Sequence, residues 1–269
     1  MRGLLSARAT GTKATPKHKV PRPTDADLRS LLNGRGATLW AARPRTSPKL
    51  DLASFALAVL PPPPARVLEV GCGAGDLARA LDGAGLKVLA IDPEGPEGSI
   101  FSRTTLEELE QTEPYDAAVA RYSLHHIENL NSALDKITSL LLPRGRLVIE
   151  EFGWDRFDRG TAEWYGREQG TSSVDSVLAE WRSEHEGLHG YEAMRLALDA
   201  RFSEQLFEWR PYLYRCLERD ELEANEREAI SEGQIQAVGF RYVGFRSSRM
   251  SPAGNRRGLL IGEGYCDAC

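Results

Sequence analysis

The stretch PPPPARVLEVGCGAGDLARAL, residues 61–81, carries the reading of this 269-residue chain. Four prolines stop any preceding helix, and Arg66–Val70 then forms an apolar run of strand length. Gly71, Gly73 and Gly75 follow, where a missing Cβ lets the backbone turn tightly or approach a ligand, and residues 76–81 read as a helix. Strand, glycine turn and helix in that order predict a crossover unit of an α/β fold. The spacing is Glu69-x-Gly71-x-Gly73-x-Gly75, which departs from the Gly-x-Gly-x-x-Gly order that seats a diphosphate on a helix N-terminus. Glu69 at the strand end would repel a diphosphate and attract a cationic ligand. A tight turn with no ligand is the competing reading, since glycine punctuates many such junctions.

The next strand, Lys87–Ile91, ends at Asp92. That acid lies about 20 residues past the turn, where a doubly wound fold brings the two strand ends together. A carboxylate there can accept both hydroxyls of a ribose, and the alternative is a turn residue before Pro93. Further on, residues 115–120 form a short apolar run, 130–142 have helical recurrence, and 147–149 form another buried strand after the Pro143-Arg144-Gly145 turn. Strands alternating with helices predict a largely parallel sheet.

Through VLEVGCGAGDLARAL, VLAIDPE, YDAAVARYSLHHIEN and LLPRGRLVIEEF, residues 65–152 resemble the class I S-adenosylmethionine-dependent methyltransferases, in their small-molecule branch. The resemblance implies an α/β, Rossmann-like seven-stranded sheet of order 3-2-1-4-5-7-6 with a helical cap. It further implies S-adenosylmethionine across the carboxyl ends of strands 1 and 2, with S-adenosylhomocysteine as product. The family roles that transfer are Glu69, Gly71 and Gly73 near the methionine moiety and Asp92 at the ribose. Thr104-Thr105-Leu106-Glu107 would face adenine, Leu106 through backbone or apolar contact, with Thr105 standing where an acid is commoner. Cys72, Pro93, Arg121 and Tyr122 complete the expected cofactor contacts. Cys72 is read as packing beneath the ligand, because no adjacent base activates it.

Methyl transfer needs an acceptor aligned behind the sulfonium methyl, and a base only when that acceptor must lose a proton. The candidates are Arg121, His125 and His126 after the fourth strand and Glu150 after the fifth. His125 or His126 would act as base or orient the acceptor, Arg121 would grip an acceptor carboxylate, and Glu150 would orient an amine or take a proton. Each has an ordinary alternative, packing for the histidines and a salt bridge for Arg121 and Glu150.

The formal charge of −5 and a pI near 5.7 give no global attraction for phosphate backbones, so nucleic acid is disfavoured. Residues 1–25 read as a flexible basic tail and 26–64 as a helical cap built from pieces at 27–32 and 50–60, with Trp40 packed among them. Residues 65–151 form the cofactor-binding core, 152–215 an aromatic helical lid that selects the acceptor, and 216–269 complete the core. Within the last segment, ERDELEANEREAISEG reads as an exposed helix, and residues 240–245 with 258–261 as a closing hairpin. His185 and His189 share a helix face only if Gly187 leaves the helix intact, and no metal is expected there.

Cys72, Cys216, Cys266 and Cys269 suit a reducing compartment, the last two as part of a frayed tail. No run reaches the roughly 20 apolar residues of a membrane span, so a cytoplasmic protein without membrane partners is expected. The expected reaction is direct methyl transfer to an O or N atom of a small or medium-sized organic metabolite, secondary metabolites included. A protein or RNA methyltransferase and a non-catalytic cofactor sensor are the alternatives. The aromatic lid also offers a surface for a homodimer.

Overall fold

The computed structural model describes residues 51–110 and 113–247. Its strands are β1 Arg66–Val70, β2 Lys87–Ile91, β3 Phe101–Ser102, β4 Tyr115–Arg121, β5 Leu141–Phe152, β6 Phe202–Arg210 and β7 Gly239–Arg246. They form one sheet of order β3-β2-β1-β4-β5-β7-β6, the order the resemblance implies. The pairs β1–β2, β1–β4, β2–β3 and β4–β5 are parallel, and β7 runs antiparallel to both its neighbours. Central β1 is buried over Val67–Val70 and apolar there apart from Glu69, as a strand covered on two faces must be.

The strand period of two sorts the core into two layers. Val67, Val119, Val148 and Val243 point to one face, where Phe55 of α1 (Leu52–Val59) and Leu77 and Leu81 of α2 (Asp76–Gly83) cover them. Leu68, Val70, Ala118, Ala120, Leu147 and Ile149 point to the other, under α3 (Leu130–Leu140) and α6 (Tyr191–Asp199). The helices start where side chains satisfy their orphan N–H groups: Asp51 accepts from Ser54 N at 2.8 Å and Asn129 from Ser132 N at 3.0 Å.

Residues 152–215 are helical over α4 (Arg159–Gln169), α5 (Val174–Glu184) and α6, but their last part is β6. The antiparallel pairs at this end of the sheet are β6 with β7 and β7 with β5. An edge strand with one half-exposed face, FSEQLFEWR, carries too many polar residues to read as a core strand. The expected strand at 258–261, the helical piece at 27–32, the basic tail, Trp40 and the Cys266–Cys269 pair lie outside the described residues.

Residues of 152–215 build a separate apolar cluster together with Ala229, Ile230 and Val238. Phe157 stacks on Trp181 with ring centroids 4.2 Å apart, Trp164 and Tyr165 are buried beside them, and Trp181 Nε1 donates to Trp154 O at 2.9 Å. These aromatics thus pack on one another. α5 stops at Glu184 and Gly187 has φ +86°, so His185 and His189 do not share a helix. They donate to the carbonyls of Trp181 and Ile127 at 2.7 and 2.8 Å.

The acid-rich helix is a further correction. In α8 (Glu223–Ser231), Glu226 is fully buried and accepts from Tyr212 N, Leu213 N and Tyr214 N at 2.7, 3.0 and 2.9 Å. It caps the short α7 (Leu213–Cys216) from across the chain.

Candidate functional site

β1 enters the glycine turn with Gly71 N and Cys72 N both donating to Ile91 O, at 2.9 and 3.2 Å, which ties the turn to the end of β2. Gly71, Gly73 and Gly75 have φ of +72°, +49° and +81°, in the left-handed region that favours glycine. Their surroundings differ. A Cβ on Gly71 would lie 2.4 Å from Ser123 Cβ and one on Gly75 2.5 Å from the Phe101 ring, whereas one on Gly73 would meet nothing within 4 Å. The outer glycines admit the protein's own packing, and Gly73 faces the open cleft of about 220 Å³ lined by Glu69, Cys72, Arg121 and Tyr122 among others.

Asp92 grips this turn: its Oδ2 accepts from Gly73 N and its Oδ1 from Glu94 N, both at 2.9 Å. The turn-residue reading and the ribose reading therefore meet at one carboxylate, since each oxygen keeps a further lone pair. Cys72 is buried against Ala78 and Ala90, and burial with Glu69 and Asp92 nearby pushes its thiol up to about 11, which makes it a packing residue without nucleophilic character. Pro93 follows Asp92 at the same strand end. Thr105 and Glu108 cap a turn reciprocally, and Leu106 is buried with Leu109 in the core. Neither Thr105 nor Leu106 is among the residues lining the cleft.

Glu69 is almost wholly buried, and its Oε2 has no hydrogen-bond partner among the described residues. Desolvation raises its carboxyl to about 8, against the opposing pull of Arg121 and a hydrogen bond from Ala78. An orphaned buried carboxylate oxygen beside a glycine that a Cβ would not crowd suits the cationic end of S-adenosylmethionine, so the residues present fit that cofactor.

The expected catalytic cluster divides in two. β5 places consecutive acids on opposite faces: Glu150 pairs with Arg241 at 3.1 Å and lies 3.9 Å from Arg121, while Glu151 bonds His125 Nδ1 at 2.7 Å. His125 is buried, its ring against His126 and Phe152, and Glu151 also accepts from Leu124 N at 2.7 Å. His126 is exposed, and burial of its ring edge and the neighbouring His125 lower its pKa. So His125 and His126 do not converge with Arg121 and Glu150, because a one-residue step along a strand flips the side chain to the other face.

What sequence reading missed is the row that Arg121 and Glu150 begin. The register puts Arg121 beside Glu150, Glu150 beside Arg241, and Arg241 beside Glu208, so charge alternates across four strands at one end of the sheet. Arg210, buried, adds a pair with Glu208 at 3.3 Å. Arg121, Glu150, Arg210 and Arg241 line a second cleft of about 510 Å³, which shares Asp76, Leu77 and Arg121 with the glycine-turn cleft. Tyr122, at the carboxyl end of β4, has φ +48°, a strained conformation for an aromatic residue, and its ring centroid lies 5.4 and 5.6 Å from the guanidiniums of Arg121 and Arg215. No signal in the sequence pairs residues as far apart as Glu150 and Arg241.

The sheet order, the glycine turn and the acid after β2 together define a nucleoside-binding α/β class. The sequence matches the family model described as "Methyltransferase domain" over residues 39–197, and the chain belongs to that family, of the S-adenosylmethionine-dependent class. Among curated proteins it is similar to a ubiquinone biosynthesis O-methyltransferase of Bradyrhizobium diazoefficiens, 27% identical over 128 residues, 37% of this chain and 51% of that protein. The namesake from Xylella fastidiosa is 38% identical over 100 residues, 32% of this chain and 41% of that one. The chain thus spans about half the length of the curated relatives it matches. Among solved structures, an S-adenosylmethionine-dependent methyltransferase from Mesorhizobium loti is 17% identical with a TM-score of 0.49, covering 71% of this chain and 96% of that one. The N-methyltransferase NodS from Bradyrhizobium japonicum is 15% identical with a TM-score of 0.40, covering 68% and 85%.

Among the described residues no helix is long and apolar enough to cross a membrane, and no group of three or more His, Cys, Asp or Glu side chains could hold a metal.

Proposed function

We propose that this chain transfers a methyl group from S-adenosylmethionine directly to an O or N atom of a small or medium-sized organic metabolite. The observation that carries the reading is the joint between β1 and β2, where the Gly71–Gly75 turn and the Asp92 carboxylate meet below an open cleft. When bound, the cofactor supplies a methyl group made electrophilic by its sulfonium. Asp92 would accept the ribose hydroxyls with the lone pairs its backbone bonds leave, and Glu69 would face the positively charged methionine end. Gly73 admits close approach of the ligand to the backbone.

Arg121 lines both clefts and Tyr122 stands next to it in the glycine-turn cleft, where an acceptor must meet the methyl group. Glu150 serves there as a positioning group, because its oxygens face two guanidiniums. His125 and Glu151 brace the loop after β4 from the opposite face, with His125 O accepting from His189 N at 3.1 Å. Water exclusion and alignment, more than proton removal, are what this arrangement offers.

Calorimetry with S-adenosylmethionine and S-adenosylhomocysteine tests the reading. The wild type should bind both, and Asp92→Ala should weaken both by roughly 10- to 100-fold through loss of a charge-assisted pair and of the turn's anchor. No binding of either ligand to the wild type would refute it.

A further inference from the structure

The charged side chains that line the glycine-turn cleft are Glu69, Asp76 and Arg121. Asp76 is exposed and pairs with Arg79 at 3.3 Å. The other two keep unused capacity, because Glu69 Oε2 and Arg121 Nε are both buried without a hydrogen bond. They lie near enough to feel each other: burial raises the Glu69 carboxyl, and Arg121 is the strongest influence opposing that rise. Yet they do not bond to one another. A carboxyl and a guanidinium left unpaired in one small cleft carry a desolvation cost, which a ligand bearing both opposite charges offsets.

Arg121 is not committed elsewhere. On its other side Glu150 Oε2 stands 3.9 Å from Arg121 Nε, beyond hydrogen-bond reach. Glu150 is held through its second oxygen, since Oε1 accepts from Nη2 and Nε of Arg241 at 3.1 and 3.3 Å. Arg121 can therefore turn toward the glycine turn without stranding Glu150. Its side chain is 34% exposed and its guanidinium lies 5.4 Å from the Tyr122 ring centroid, a contact that leaves the N–H donors of the fork free.

We infer that Arg121 and Glu69 together form a receptor for the α-amino acid end of S-adenosylmethionine, Arg121 donating to its carboxylate and Glu69 facing its ammonium, so that Arg121 makes the cofactor's carboxylate a condition of tight binding. The inference rests on the methyltransferase reading and adds the residue that selects the amino acid end of the cofactor. It assigns Arg121 to the cofactor in place of an acceptor carboxylate. The charges correspond in kind: this end of the cofactor carries an ammonium, a sulfonium and one carboxylate, and the cleft presents two carboxyls and one guanidinium. The planar fork of arginine matches a carboxylate through two parallel bonds. An adenosine thioether that lacks the carboxylate leaves that fork unpaired and is discriminated against.

Calorimetry with S-adenosylhomocysteine, its decarboxylated analogue, which keeps the ammonium, and methylthioadenosine, which has neither charge, tests the inference. The wild type should bind S-adenosylhomocysteine about tenfold or more tighter than the decarboxylated analogue. Arg121→Gln should weaken S-adenosylhomocysteine by a similar factor and leave the decarboxylated analogue unchanged or tighter, because the lost charge opposed its ammonium. Arg121→Lys keeps the charge without the fork and should retain a smaller preference for the carboxylate. Methylthioadenosine should bind wild type and both variants alike, which reports that the nucleoside site is intact. Equal wild-type affinities for S-adenosylhomocysteine and the decarboxylated analogue, or an equal loss of both in Arg121→Gln, would overturn the inference. No binding of S-adenosylhomocysteine to the wild type would instead refute the methyltransferase reading.

Discussion

Glu69→Gln is the substitution whose consequences follow most directly from the structure. Burial raises the Glu69 carboxyl to about 8, with Asp76 and Asp92 adding to the rise and Arg121 and the Ala78 backbone opposing it. At pH 7 such a group carries about 0.9 of a proton in the free protein. A sulfonium and an ammonium arriving in the cleft favour its carboxylate, so cofactor binding should expel that proton. Calorimetry at pH 7 in buffers of different ionisation enthalpy should show the wild type releasing up to ~0.9 proton more than Glu69→Gln on binding S-adenosylmethionine. That difference should fall to about 0.5 at pH 8 and about 0.1 at pH 9.

Stability gives a second reading of the same group. Its folded pKa lies above the unfolded value, so the folded state binds the extra proton between about pH 4.5 and about 8, and wild-type stability declines as pH rises through that window. Integrated over the shift, the loss is on the order of 5 kcal/mol at most, and Glu69→Gln should remove it. In denaturant titrations the variant should therefore match the wild type near pH 4.5 and exceed it at pH 9. Equal proton release from wild type and variant, together with parallel stability profiles, would refute both the buried state of Glu69 and its place beside the cofactor.

The two kinds of glycine in the turn should separate on substitution. Gly71→Ala forces a Cβ to within 2.4 Å of Ser123 and should cost roughly 2–4 kcal/mol in chemical denaturation, whereas Gly73→Ala, with open space around it, should cost only about 1 kcal/mol of backbone strain yet weaken S-adenosylhomocysteine binding several-fold by calorimetry. Glu226→Ala strands three backbone N–H groups and should lower stability by about 2–4 kcal/mol in the same denaturation assay, and a loss within 0.5 kcal/mol would show that the 212–214 backbone finds other acceptors.

The glycine turn and the acid that bonds it were legible in the sequence because they are local. Glycines two apart after an apolar run, followed by an amphipathic helix, can form little else than a strand, a left-handed turn and a crossover. The acid after the second strand falls at the neighbouring strand end once the two strands are parallel. Placing His125 and Glu150 in one cluster failed for an equally simple reason. Both follow strands that end at the cleft, but the period of two sends Glu150 to the α1–α2 face and Glu151 to His125 on the other.

Sequence by itself therefore determined the fold class, the sheet order by resemblance, and the turn that would hold the nucleoside. Tertiary structure alone decided the charged row beside that turn. Arg241 meets Glu150 across 91 residues of chain, Glu226 caps a helix 13 residues before it, and Arg215 reaches the Tyr122 ring that Arg121 also covers. Charges meet there through strand register and loop closure, and neither leaves a periodic trace in the chain. The same Arg and Glu residues read along the sequence as solvated surface, and only strand register at one end of the sheet turns them into a row of alternating charge.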